Sequence, residues 1–414
     1  MSQWTPDWSL TINGFGEYAN ITLANLSITS GRTDIYSQPV AGYATMDIIN
    51  LDLSAVVVDV NDQVSIKVKD STGTYVNVFG GYVTDREVSV ISSGTGGINE
   101  VLRITALSAL SKLPKSLTEG VLSKDEDGDQ IYSILSPLLF DQWNEVPAAT
   151  TWAGYNPTTT WANAQNSGLG EIDRPGNYEL HSRSAAVTDV YSLVSALATS
   201  GLGYLYEDAE GRIGYADSTH RSSYLASNGY TVLSGNNALT QGIRTIRRLG
   251  DIRNKVTIQY KNNAEATATD ADSVGLYGQQ AQAIQTSIEN TADAVSQADF
   301  YLAIRAFPQD IFQSITFPLG NPEIDDSDRD ALLNVFMGLP VDIQDLPSNM
   351  VNGRFQGFVE GWSFRASYDN LNLTLNVSPT AFSLQSMKWD DVSGAETWNT
   401  ISPTLDWNSA TIVA

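Results

Sequence analysis

Over the first ~110 residues, apolar and polar positions trade places in short runs. Ser9-Leu10-Thr11-Ile12, Ile21-Thr22-Leu23 and Val64-Ser65-Ile66-Lys67-Val68-Lys69 change character at each step. A period of two puts one face on a core and the other in water, so these runs are predicted strands. Asn13-Gly14, Ser30-Gly31, Val60-Asn61-Asp62, Ser71-Thr72-Gly73 and Gly94-Thr95-Gly96-Gly97 supply turn chemistry between runs. Short strands broken by turns every ~8–12 residues suit a barrel or sandwich better than a parallel sheet.

Near residue 105 the pattern changes. Ala106–Leu110 and Gln130–Phe140 read as helical, the second piece capped or kinked by Pro137. Residues 141–180, rich in Trp, Asn, Thr, Pro and Gly, read as loop. A helix over about 187–200 follows from the stripe of Val187, Val190, Leu193, Val194 and Leu197, with Gly201 past its end. Gly203–Tyr206 and Arg212–Tyr215 then predict a hairpin turning at Asp208–Gly211. A second β region opens at about 241, with strands Asn254–Tyr260, Ile311–Leu319 and Leu371–Val377. Helices interrupt it near 287–305 and 328–337, the latter with Asp325, Asp326 and Asp328 at its positive end. The order is β, α+β, β with helical insertions.

The 414 residues allow about two to four domains and substantial cores. Cysteine is absent, which excludes a disulfide framework, thiolate metal sites and a cysteine nucleophile. The two histidines, His181 and His220, stand in no paired metal spacing. Acids outnumber bases 47 to 23, and the net charge of −24 argues against a nucleic-acid or anionic-membrane face. MSQWTPDWSL shows no signal-peptide pattern, and no run approaches the ~20 apolar residues of a membrane span.

Three motifs fail on context. Gly14-Phe15-Gly16-Glu17-Tyr18-Ala19 matches a relaxed dinucleotide pattern, but Asn20–Ile28 is β-like where a helix must follow. A turn between strands is the better reading. Asp125-Glu126-Asp127-Gly128-Asp129 opens like a calcium loop, yet has glycine fourth rather than sixth and Ser136 twelfth rather than an acid. It reads as a solvated acidic turn. Pairs such as Asp325/Asp326 and Asp390/Asp391 arise by chance among 47 acids and define no hydrolytic site.

Two segments carry candidate contacts. Arg244, Arg247, Arg248, Arg253, Lys255 and Lys261 share their stretch with one acid, Asp251. Such a strip suits an ion-pair interface, with Arg247, Arg248 and Arg253 as contacts, or a strand edge kept charged against aggregation. At the C-terminal end Trp389, Trp398 and Trp407 repeat every nine positions, a period that fits neither a helix face nor a strand face. Their rings either meet a partner or pack back on their own domain.

Several stretches resemble one family. Ile28-Thr29-Ser30-Gly31-Arg32-Thr33-Asp34-Ile35-Tyr36, Gly42-Tyr43-Ala44 and Ile48-Ile49-Asn50 are similar to the opening of minor tail proteins of long-tailed phages, especially actinobacterial ones. Val78–Asp85, Gly353–Gly361, Leu371–Pro379 and the Trp repeats resemble the same family. The resemblance covers most of the chain, and its marker in 111–240 is the Gly211 hairpin. It implies a mainly β fold in which two β-barrel-type hub domains, 1–110 and 241–380, flank a mixed α+β middle, 111–240, and an extended tail, 381–414. The implied role is a homotrimeric baseplate hub at the tail tip, made in the host cytoplasm. It would join tail tube or distal tail ring proteins to tip or fibre proteins during viral genome ejection. No catalysis, cofactor or metal is expected. Alternatives are a receptor-binding or cell-wall-degrading tail protein and a secreted carbohydrate-binding β protein.

Overall fold

The computed structural model describes residues 4–12, 22–49, 56–92, 99–136, 172–239, 243–367, 370–386 and 411–412. In the first region the alternating runs become β1 (Trp8–Ile12), β2 (Thr22–Gly31), β3 (Tyr43–Ile49), β4 (Gln63–Lys69), β5 (Tyr75–Ser92) and β6 (Asn99–Leu107). In β4, Val64, Ile66 and Val68 are buried while the residues between them are half-buried, as a period of two requires. Ala106 and Leu107 are strand, contrary to the helical expectation, because they pair with β3 and β5 on either side. Only Ala109–Lys115 turns, as a 3-10 helix. Two-sided pairing outweighs the weak local helix preference of this stretch.

The middle contributes α1 (Asp127–Ser136), α2 (Val190–Ser200), the hairpin strands β7 (Tyr204–Glu207) and β8 (Ile213–Ala216), α3 (His220–Asn228) and β9 (Thr231–Ser234). α1 is described over Asp127–Ser136, and residues 137–140 of the expected helix lie outside the described residues. α2 starts later than the apolar stripe predicts. Asp189 takes the cap by accepting from Ser192 N–H at 2.8 Å, which leaves Val187 outside and 72% exposed.

The remaining elements are β10 (Arg244–Ile246), β11 (Lys255–Tyr260), β12 (Ala264–Thr269), α4 (Ala271–Tyr277), β13 (Ala281–Gln285), α5 (Thr291–Arg305), β14 (Ile311–Pro318), α6 (Asp326–Leu333), β15 (Pro340–Gln344), β16 (Phe355–Ser367) and β17 (Asn370–Pro379). α6 lies earlier than expected because Asp325 caps it, accepting from Asp328 N–H at 2.8 Å.

Twelve strands form one sheet with the path β1-β4-β5-β6-β3-β2-β16-β17-β14-β10, and β9 joins it through β15, which pairs with β16. The first and second β regions are therefore continuous through β2 and β16, in register from Ser27↔Arg365 to Gly31↔Gly361. They also share a core, in which Ile28, Ile66 and Ile104 belong to the same cluster as Phe317, Phe364 and Leu373. A second core gathers Ile131, Leu197 and Tyr215 with Val256, Ile258 and Ala298, so β11, β12 and α5 pack with the middle region. Past β17, Phe382 and Leu384 are still buried. Gln385–Ser386 pair antiparallel with Thr411–Ile412. Among the described residues no helix is long and apolar enough to cross a membrane.

Candidate functional site

Where β2 meets β16 the backbones approach unusually closely. Gly31 has φ +82° and faces Gly361 in the register. A Cβ on Gly31 would lie 2.4 Å from the Glu360 carbonyl oxygen, and one on Gly361 2.5 Å from that of Arg32. With glycine at both positions, Arg32 N–H donates to Glu360 O at 2.8 Å. The two neighbouring side chains then turn inward together. Arg32 Nε meets Glu360 Oε2 at 2.7 Å.

Arg221, in the first turn of α3, closes the cluster. Its Nη1 and Nη2 donate to Glu360 Oε1 and Oε2 at 2.8 and 2.9 Å, and Ser378 Oγ donates to Oε1 at 2.5 Å. Arg221 Nη1 also donates to Ser383 Oγ at 2.8 Å. Burial alone would raise the Glu360 carboxyl. The Arg221 and Arg32 guanidiniums outweigh that effect and hold it well below the usual carboxylate range. One carboxylate thus ties the first β region, the middle and the second β region at a single buried point. Segments 28–36 and 353–361, far apart in sequence, meet here.

Beside this junction, Tyr36 is flanked by Arg305 and Arg253, whose guanidinium carbons lie 5.0 and 5.4 Å from its ring centre. Tyr36 borders two cavities. One of about 100 Å³ is lined by Arg32, Arg221 and Arg305. The other, about 420 Å³, is lined by Arg248, Asp251 and Glu360.

The predicted contact residues divide around this place. Arg253 is half-buried and donates to Gly250 O, Ile252 O and Gln282 Oε1. Arg248 pairs with Asp251 at 3.2 Å on the larger cavity. Arg247 reaches Asp310 at 3.7 Å, and the side chains of Arg247 and Arg248 are 58% and 57% exposed. Trp389, Trp398 and Trp407 lie outside the described residues, as does the Gly14–Ala19 turn.

A second joint links the hairpin to the first β region. Glu207 accepts from Gly42 N–H (3.1 Å), Ser108 Oγ (2.6 Å) and Leu110 N–H (2.6 Å). Burial pushes its carboxyl up to about 7 against these donors. Gly80 lies so close to the hairpin tip that a Cβ there would meet Glu210 O at 2.1 Å. The acidic turn splits in two. Asp127 points inward, accepting from Asn177 N–H and Tyr178 N–H at 2.8 Å and from the Tyr215 hydroxyl, and burial raises it to about 6. The carboxylates of Asp125, Glu126 and Asp129 gather within 4.8 Å, and Asp129 pairs with Arg174.

Arg32, Arg221, Glu360, Arg305 and Glu207 were not among the predicted contacts. One signal was legible. Glu360 interrupts an apolar strand, Phe358-Val359-Glu360-Gly361-Trp362, where an unpaired acid would be costly.

No protein-family model matches the sequence, and no curated protein matches it. Solved structures do. A tail protein from Neisseria meningitidis MC58 superposes with a TM-score of 0.56 at 12% identity, covering 92% of this chain and 98% of that one. The 43 kDa tail protein of prophage MuSo2 from Shewanella oneidensis gives 0.53 at 11% identity, covering 91% and 98%. The chain shares the fold of these tail proteins along nearly its whole length.

Proposed function

We propose that the chain is a structural protein of a phage tail, and within it the homotrimeric hub at the tail tip. The observation that carries this reading is fold likeness over nine-tenths of this chain and nearly all of two tail proteins. On this reading, domains 1–110 and 241–380 are barrel-like halves, 111–240 is the middle that locks them together, and 381–414 is the contact tail. Two quasi-equivalent β halves per subunit let a three-fold ring meet a six-fold tube, and a closed ring satisfies its interfaces without open ends. Partners are the tail tube or distal ring on one side and tip or fibre proteins on the other. The hub is a part of the virion that the genome passes on ejection. Arg247 and Arg248, largely exposed, suit inter-subunit ion pairs in so acidic a chain.

Native mass measurement of the full chain tests the proposal. A trimer, or a ring built from trimers, is expected at micromolar concentration. A persistent monomer, or release of cell-wall fragments that one carboxylate substitution abolishes, overturns it.

A further inference from the structure

The larger cavity beside Tyr36, about 420 Å³, is of the size that takes a small organic group. Ile246 and Ile311 stand half-buried in its wall, and Phe312, Val377 and Phe382 close its floor. Its mouth is open, with Tyr36 44% exposed and the Arg248 side chain 57% exposed. The sheet is shaped around it. Three strand pairs lose register at this level: β16 with β17 between Val359 and Gly361, β14 with β17 between Phe312 and Ile315, and β10 with β14 between Arg244 and Thr245. Such irregularities bend a strand, and a row of three leaves a concavity beside β10, the last strand on the path.

An apolar pocket with an acceptor in its wall suits an aromatic ring that carries one donor. Asp251 supplies the acceptor, and a Trp offers an apolar body with a single N–H. The border of the mouth is cationic. Six of the chain's 23 basic residues fall within 244–261, and Arg244, Arg247 and Arg248 are exposed. Asp310 and Asp251 answer Arg247 and Arg248 only in part, because both guanidiniums remain open to solvent. An acidic segment, repelled by the rest of a chain of net charge −24, meets least opposition there. The sequence holds such a segment. Residues 387–410 carry Asp390, Asp391, Glu396 and Asp406 against Lys388, and Trp389 directly precedes two of these acids.

We propose that this cavity receives the Trp389 ring of a second copy of the chain, with Asp390 and Asp391 set against Arg247 and Arg248. The second copy follows from the path of the backbone. Beyond Phe382, Ser383 bonds Arg221 and lines the smaller cavity, and Leu384 is buried, so the chain has left the larger cavity before it reaches 387–410. A tail seated on a neighbour is a heterologous contact, the kind that closes rings. The inference rests on the reading of 381–414 as a contact tail and names its receptor.

Two full-length variants divide the contact. Trp389→Ala keeps the pocket and loses the ring, whereas Ile246→Trp fills the pocket and keeps the ring. Sedimentation of each alone should show association about thirty-fold weaker than wild type. An equimolar mixture should associate more tightly than either alone, since intact ring then meets intact pocket. A mixture no tighter than its components overturns the proposal. Should Ile246→Trp not fold, a labelled peptide of residues 385–395 decides, its binding to the full-length Trp389→Ala chain followed by fluorescence anisotropy. Saturable binding is expected, about thirty-fold weaker when the peptide itself carries Trp389→Ala and about fivefold weaker when the chain carries Arg248→Glu. No binding, or equal binding of both peptides, overturns the pocket. A trimer that neither variant weakens refutes the pocket and leaves the hub reading intact. A non-trimeric assembly that either variant disperses does the reverse.

Discussion

Replacing Glu360 by glutamine removes the charge that two buried guanidiniums share. The side chains of Arg32 and Arg221 are 6% and 7% exposed, so neither can turn to water without opening the core. At ~4 Å and an effective dielectric near 20, each ion pair is worth about 4 kcal/mol before desolvation. Desolvating three ions cancels much of that in the wild type. In Glu360→Gln the desolvation of both arginines remains while their attraction is lost. The expected destabilisation is about 3–5 kcal/mol, toward the lower end because the amide oxygen still accepts one bond. For a chain of this length that lowers the thermal midpoint by roughly 4 °C. Urea unfolding followed by tryptophan fluorescence, with calorimetry, measures it. Glu360 has a depressed folded pKa, so its contribution is fully present above the ordinary 4.5 and fades as pH falls below it. The gap between wild type and variant should narrow there. A loss under ~1 kcal/mol at neutral pH would refute the argument that a buried, shared charge holds the joint. As a control, Arg32→Met, Arg221→Met and Glu360→Leu together should lie nearer the wild type than Glu360→Gln does, because no buried charge is left unpaired.

Three further outcomes follow from particular residues. Glu207 is raised from 4.5 to about 7, and Asp127 from 3.8 to about 6, so the folded state holds protons that the unfolded chain releases. Stability should therefore fall as pH rises from about 4.5 to 7, by roughly 4 kcal/mol for the two groups together, and Glu207→Gln should flatten that slope by about half; a profile identical to wild type speaks against it. Gly361→Ala, whose Cβ would meet Arg32 O at 2.5 Å, should reduce stability far more than Gly73→Ala, which shares a positive φ with Gly31 but meets nothing within 4 Å. Comparable urea midpoints for the two variants would count against close approach as the reason for glycine there. Truncation belongs after Ser386 rather than after Thr380, because Phe382 and Ser383 are bonded to Arg305 and Arg221. The shortened chain, or Trp389→Ala, should keep its stability and lose assembly by about 2 kcal/mol or more in affinity, measured by sedimentation.

Local pattern was a good guide wherever local forces decide. β4, β11, β14, β17 and α5 lie close to where alternation or an apolar stripe put them, because each turns one face to a core, and the Gly211 hairpin lies where its turn residues put it although its strands are buried throughout. Local caps at Asp189 and Asp325 moved two helix ends, and what alternation cannot express is partners distant in sequence. Ala106 and Leu107 are strand because β3 and β5 enclose them. Val256, Ile258 and Ala298 pack with the middle region, a choice no alternation can express. The junction was legible only as separate fragments. Gly31-Arg32 and Glu360-Gly361 meet only when β2 and β16 pair, and only then does a separation of 328 positions collapse to one 2.7 Å contact.

The form of the joint bears on what the proposed hub requires. Between the β regions the sheet passes through one strand pair, five residues long in register and ending in a glycine at each side. Two glycines at the end of a ladder are a place where backbone angles change easily, so this pairing alone makes a hinge. Among the described residues, the buried carboxylate that accepts the most hydrogen bonds, Glu360, stands at that spot. It draws one ligand from the far side of the hinge, Arg32, and one from a third body, Arg221, so any bend must break a charged contact in a dry environment. A hydrophobic plug of equal volume would resist separation but tolerate sliding, because dispersion contacts have no fixed direction. Bonds from two guanidiniums fix both distance and angle. In a ring whose two β halves must occupy quasi-equivalent places, an error in that angle repeats at every subunit, and the ring fails to close. On the proposed reading, the Glu360 cluster serves to set the angle between the halves.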